Sequence, residues 1–116
     1  MVAEFGAPGV ENPQIVDLIT TDPQSGRVVL VMMERRPWGA SPLQLRQIEE
    51  KINRYLGYAL DGFLVEHYPQ YENRTVQIRL DCAETPSAEA VPFVEAARQA
   101  IEAQGLEFVL RVTPPQ

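Results

Sequence analysis

The sequence predicts an α/β fold of the α+β kind: a two-layer sandwich in the order β-β-α-β-α-β, with both helices on one face of a mixed four-stranded sheet. Three observations carry this expectation. Turn chemistry at Asp22-Pro23-Gln24-Ser25-Gly26 separates two β-rich runs near the start of the chain, which is a hairpin signal. Two later segments repeat apolar residues at three- and four-residue steps, as helices that bury one stripe do. Two more alternate apolar and polar residues with the period of a half-buried strand. Strand–helix–strand crossovers are right-handed, so two in succession place both helices on the same side.

Taken in order, residues 1–13 hold Gly6, Pro8, Gly9 and Pro13 and read as a flexible N-terminal arm. Residues 14–113 form a single domain and 114–116 a tail. Strand one is expected over 15–20 and strand two over 27–34, where Val28-Val29-Leu30-Val31-Met32-Met33 is apolar on both faces, as an interior strand requires. Strand one is then the antiparallel edge. Ser41-Pro42 marks a helix start, with a hydroxyl cap and a proline whose missing N–H costs nothing there. Leu45, Ile48, Ile52, Tyr55, Leu56 and Ala59 form its buried stripe, and Gly62 fits the left-handed position beyond its end, with Phe63 folding back on it. Residues 63–68 fit either a helical turn or a short extended piece, ended by Pro69. Over 75–82, Val76, Ile78, Leu80 and Cys82 point inward, while Thr75, Gln77, Arg79 and Asp81 point outward. The second helix carries Phe93, Val94, Ala97 and Ile101 on its buried face and ends at Gly105, with Pro92 tolerated only in its first turn. Residues 106–112 form the last strand, with Phe108, Leu110 and Val112 inward.

Composition narrows the function classes. The 116 residues are 45% hydrophobic and 22% charged, which is globular rather than disordered. One cysteine excludes an internal disulfide and a cysteine-rich zinc site. The start has no basic region followed by an apolar stretch, and the longest apolar run is six residues against the roughly 20 of a spanning helix. The expectation is a cytoplasmic protein with no membrane segment. Net charge is −6, so nucleic acid, which calls for a clustered basic face, is not expected as a partner. Charge is segregated: residues 1–26 hold four acids and no base, whereas 27–54 hold six bases and three acids.

Two surfaces stand out. If helices cover one side of the sheet, Val29, Val31 and Met33 lie on the other, near Ile15 or Ile19, with Val109, Gln77, Arg79, Asp81 and Arg111 around them. An apolar centre with a charged rim is the make-up of a partner surface. Interface candidates are therefore Ile19, Val29, Val31, Met33, Arg79 and Val109, unless the arm covers them with Phe5 and Val10. The second is Glu34-Arg35-Arg36-Pro37-Trp38, at a strand end and just before a helix N-terminus. There Glu34, Arg35, Arg36 and Trp38 are candidate ligands for a small anion; the plainer reading has Trp38 plugging the core while Glu34 pairs with an arginine. His67 and Cys82 are single, Cys82 faces inward, and no residue spacing marks a catalytic pair, a metal site or a phosphate-binding glycine loop. No cofactor is expected.

The chain resembles a family of small bacterial proteins carrying a domain of unknown function. The resemblance runs from about Val16 to about Val112. It rests on Val16-Asp17-Leu18, Arg36-Pro37-Trp38, Glu50-Lys51-Ile52-Asn53-Arg54-Tyr55-Leu56, Asp61-Gly62 followed by Tyr68-Pro69, and the strand ending Asp81-Cys82. It implies a bacterial, cytosolic, single-domain protein, draws attention to Asn53 and Tyr55 as polar partners near Trp38, and brings no activity with it. The expected function is a non-enzymatic protein-interaction module, a homodimer or the binder of one dedicated partner, using the open sheet face. The alternative is a small anionic-ligand binder or enzyme with its site near Trp38 and the first helix N-terminus.

Overall fold

The structure, a computed structural model, describes residues 9–12 and 16–114. Its elements are β1 (Leu18–Thr21), β2 (Val28–Glu34), α1 (Gln44–Leu60), α2 (Phe63–His67), a 3₁₀ turn (Pro69–Tyr71), β3 (Val76–Cys82), α3 (Val91–Ala103) and β4 (Glu107–Val112). The strand order across the sheet is β1-β2-β3-β4. β1 runs antiparallel to β2, while β2, β3 and β4 are mutually parallel. The expected α+β sandwich with a mixed sheet is therefore what the chain forms, with β2 interior and β1 at the edge.

Why the layers form is visible in β2. Val28, Leu30 and Met32 are wholly buried and join Ile78, Leu80 and Cys82 of β3 and Phe108 of β4 in one core. Against them lie Ile48, Ile52 and Tyr55 of α1 and Val94 and Ile101 of α3, so both long helices occupy the same side. Each such side chain stabilises the fold by roughly 1.5–3 kcal/mol relative to exposure. Val112, at the end of β4, lies on the same side opposite Cys82 but remains 37% exposed.

Helix boundaries follow local chemistry. At Ser41-Pro42 the chain makes a preparatory turn, in which the Leu43 N–H donates to Ser41 Oγ at 3.1 Å, and the regular helix opens at Gln44. Gly62, at φ +90°, ends α1 in the left-handed conformation, as expected. The residue that packs inward after it is Leu64, not Phe63, which is about half exposed. Of the segment 63–68, Phe63–His67 form a short helix with Tyr68 just beyond its end, and Pro69 opens the 3₁₀ turn that follows. Pro92 lies in the first turn of α3.

Residues 9–12, expected to belong to a flexible arm, are fastened to the domain. Val10 is buried in the helix-side core, and its N–H donates to the Met33 carbonyl at 3.0 Å. Val10 therefore does not cover the opposite face. Phe5 and Ile15 lie outside the described residues, as do the rest of 1–8, 13–15 and the last two residues of the tail.

Candidate functional site

The side of the sheet away from the helices is built from alternate residues of four strands. Their register arranges them in three rows. Thr20, Val29, Gln77 and Glu107 form the first row, Leu18, Val31, Arg79 and Val109 the second, and Met33, Asp81 and Arg111 the third. The β1–β2 half of this face is thus mostly apolar and the β3–β4 half mostly charged. Leu18 is 48% exposed, whereas Val29 and Val31 are 1% and 4% exposed. The two valines therefore offer little free area, and the apolar surface presented is that of Leu18, with Met33 and Val109 partly buried around it.

Ile19 is the one interface candidate that lies on the wrong side. It pairs with Leu30 and packs against the helix-side core, so the open-face residue of β1 is Leu18. Val29, Val31, Met33, Arg79 and Val109 do share the helix-free face.

Charge on that face is partly satisfied. Arg27 pairs with Glu107, and Arg35 lies 3.5 Å from the Asp81 carboxylate while also donating to the Thr113 carbonyl. Arg79 donates to Gln77 Oε1 at 3.1 Å. Arg79 Nε and Asp81 Oδ1, however, are shielded from solvent and have no hydrogen-bond partner among the described residues. Buried polar atoms without partners are uncommon, and each costs free energy until one is supplied.

At the Trp38 end the residues are brought together differently from an anion site. Glu34 is buried, and Arg36 grips its carboxylate with two guanidinium nitrogens at 3.0 and 2.7 Å. The carboxylate's hydrogen bonds raise the Arg36 pKa, and its charge cancels the cation a ligand would need. Arg35 turns away toward Asp81. Trp38 packs against the core, and its indole N–H donates to the Glu84 carbonyl at 2.9 Å. Beside it lies a cleft of about 420 Å³ lined by Trp38, Ser41, Pro42, Gln44, Ser87 and Glu89, among others. Neither arginine lines it, and its one charged lining residue, Glu89, is an acid.

A buried network escaped the sequence reading. Lys51 and Asp17 form an ion pair at 2.6 Å with neither side chain exposed. The Lys51 ammonium also donates to the carbonyls of Gly9 and Asn12. The Asp17 carboxylate accepts the N–H groups of Gly9 and Met33, each at 2.9 Å. Tyr55 completes it: its hydroxyl accepts the Asp17 N–H at 2.9 Å and donates to the Val31 carbonyl at 2.7 Å. The available signal was a lysine on the apolar stripe of α1, three residues after Ile48 and four before Tyr55. Tyr55 is thus bonded to Asp17, just before β1, and to β2 rather than set beside Trp38, and Asn53 is exposed on the rim of a groove between α1 and α3.

Cys82 is fully buried, and burial pushes its thiol pKa up to about 12, so it is an apolar filler at neutral pH. His67 is exposed in α2, with Nδ1 3.0 Å from the Tyr58 hydroxyl. Among the described residues, no group of three or more His, Cys, Asp or Glu side chains is placed to hold a metal ion, and no helix is long and apolar enough to cross a membrane.

These features define a small two-layer α+β domain in which, among the described residues, one sheet face carries no helix, with a charge-locked strap at one end. The chain belongs to the Family of unknown function (DUF6572), whose model matches residues 9–114. No curated protein and no solved structure matches it.

Proposed function

We propose that the chain is a non-enzymatic protein-interaction module that self-associates through the helix-free face of its sheet. The observation that carries this reading is the sidedness of the fold: both long helices lie on one side, and Leu18 stands half exposed on the other. The sheet edges favour the face over edge-to-edge pairing. β1 is only four residues long, and the Arg98 guanidinium already occupies the Phe108 carbonyl of β4 at 3.0 Å.

Leu18→Glu tests this directly, since a half-exposed position tolerates a charge without loss of fold. Sedimentation should find the wild-type chain associated and the variant at the monomer mass. Equal masses for the two proteins would remove the face from consideration.

The runner-up reading places a small ligand in the cleft beside Trp38, supported by the cleft's volume of about 420 Å³. With Glu89 there and both arginines paired elsewhere, a neutral or cationic ligand suits it better than an anion. A thermal-shift screen that finds stabilisation by such compounds and none by anions would favour it.

A further inference from the structure

We infer a binding site that does not depend on the sheet-face reading: the hollow between the β1–β2 turn and the loop before β3 takes the phosphate or carboxylate group of a small ligand. Ser25, Gly26 and Arg27 from the turn and Asn73, Arg74 and Thr75 from the loop line a hollow of about 390 Å³. Small-molecule sites run to about 300–1,000 Å³ and are mostly apolar, so the size fits but the polar lining selects a polar ligand. Two guanidiniums, an amide and two hydroxyls belong to the lining, and no carboxylate does. In a chain of net charge −6 this is a local concentration of cations and hydrogen-bond donors.

The hollow is organised within the chain. The Gly26 N–H closes the turn on the Asp22 carbonyl at 2.8 Å, and the Val28 N–H joins turn to loop through the Thr75 carbonyl at 2.9 Å. Arg74 Nη1 donates to the Gly26 carbonyl at 3.1 Å, which fixes the guanidinium over the turn with one of its five N–H groups. The rest are uncommitted, and Arg74 forms no ion pair among the described residues. A guanidinium fork matches the paired oxygens of a carboxylate or phosphate. Asn73 is the one non-glycine residue among those described with a left-handed backbone, at φ 66°. Glycine is the ordinary occupant of such a position; asparagine tolerates it and adds an amide. That amide and the Thr75 hydroxyl bond to no described residue, so both can donate to a ligand. The remaining lining groups are occupied: Arg27 pairs with Glu107, and Ser25 Oγ bonds to Asp22 and to the Arg27 N–H. Asp22 itself is held inside the turn by the Gln24 N–H and the Ser25 hydroxyl. Arg74, Asn73 and Thr75 therefore carry the contact.

Backbone amide NMR of the full chain tests the site, with inorganic phosphate titrated in one arm and acetate in the other, and sodium chloride holding ionic strength constant. Saturable shifts centred on residues 25–27 and 73–75 are expected, and the arm that saturates at lower concentration names the preferred group. Arg74→Gln should raise the dissociation constant roughly tenfold or more. Asn73→Gly suits the left-handed backbone, so it should weaken binding several-fold while leaving Tm at or above the wild-type value. Arg46→Gln removes an exposed arginine of α1 that does not line the hollow, and should leave binding unchanged. The amide spectrum of each variant reports its fold in the same experiment. Shifts that do not saturate in either arm overturn the proposal. So do shifts that saturate elsewhere on the chain, or an affinity that Arg74→Gln lowers no more than Arg46→Gln does.

Discussion

Lys51 and Asp17 are both withdrawn from water, and removing either partner leaves a charge in the interior with its hydration lost. Such a loss typically costs about 3–5 kcal/mol, a large share of a small domain's stability. Lys51→Met should therefore destabilise the fold by about that much in urea titration, and Asp17→Asn combined with it should recover a substantial part. If Lys51→Met unfolds at the wild-type midpoint, the pair is not a lock. Tyr55→Phe removes one hydroxyl that bridges the Asp17 N–H and the Val31 carbonyl, and should cost about 1–3 kcal/mol by the same assay. The network also explains a misreading. Asp17, just before β1, and Ile19 share a side by the two-residue period of an extended chain. With Lys51 neutralising Asp17 from α1, that side turns toward the helices and takes Ile19 with it.

Elements were legible where one physical cause decided them. β2, apolar on both faces, had to be interior, and the period of 76–82 fixed which side of β3 met the helices. Glycine marked the end of α1 because the chain there turns left-handed: Gly62 has φ +90° with open space around an added Cβ. Gly62→Ala should therefore cost about 1 kcal/mol through backbone strain alone, lowering Tm by about 4–8 °C. An unchanged Tm would mean that the turn relaxes into another conformation. Other features depended on distant partners and were not legible. Residues 9–12 looked like a loose arm because glycine and proline dominate the local signal, while the groups that fasten them, Met33, Asp17 and Lys51, are far along the chain. The string Glu34-Arg35-Arg36-Pro37-Trp38 left open which arginine the acid would hold; Arg36 closes on it through both backbone and side chain.

At the scale of the molecule, Cys82 reports on global integrity, because its thiol is reached only when the core opens. At pH 8, disulfide-exchange reagents should label it at the unfolding rate, with complete labelling in denaturant; fast labelling of the native protein would place it on a locally opening element. Its titration also sets an alkaline limit. The thiol pKa rises from 9.0 to about 12 on folding, so the folded state holds the proton more tightly than the unfolded one. The stability this contributes is complete below pH 9.0 and is lost as pH rises toward about 12. Cys82→Ala should flatten that part of the stability profile.

The central claim is that two copies join through the helix-free face of the sheet. The most direct test is the solution mass of the wild-type chain by size exclusion with light scattering, across a hundredfold range of concentration. A mass approaching twice 13.0 kDa at the upper end, falling toward 13.0 kDa on dilution, is the predicted result. A constant 13.0 kDa throughout would contradict it.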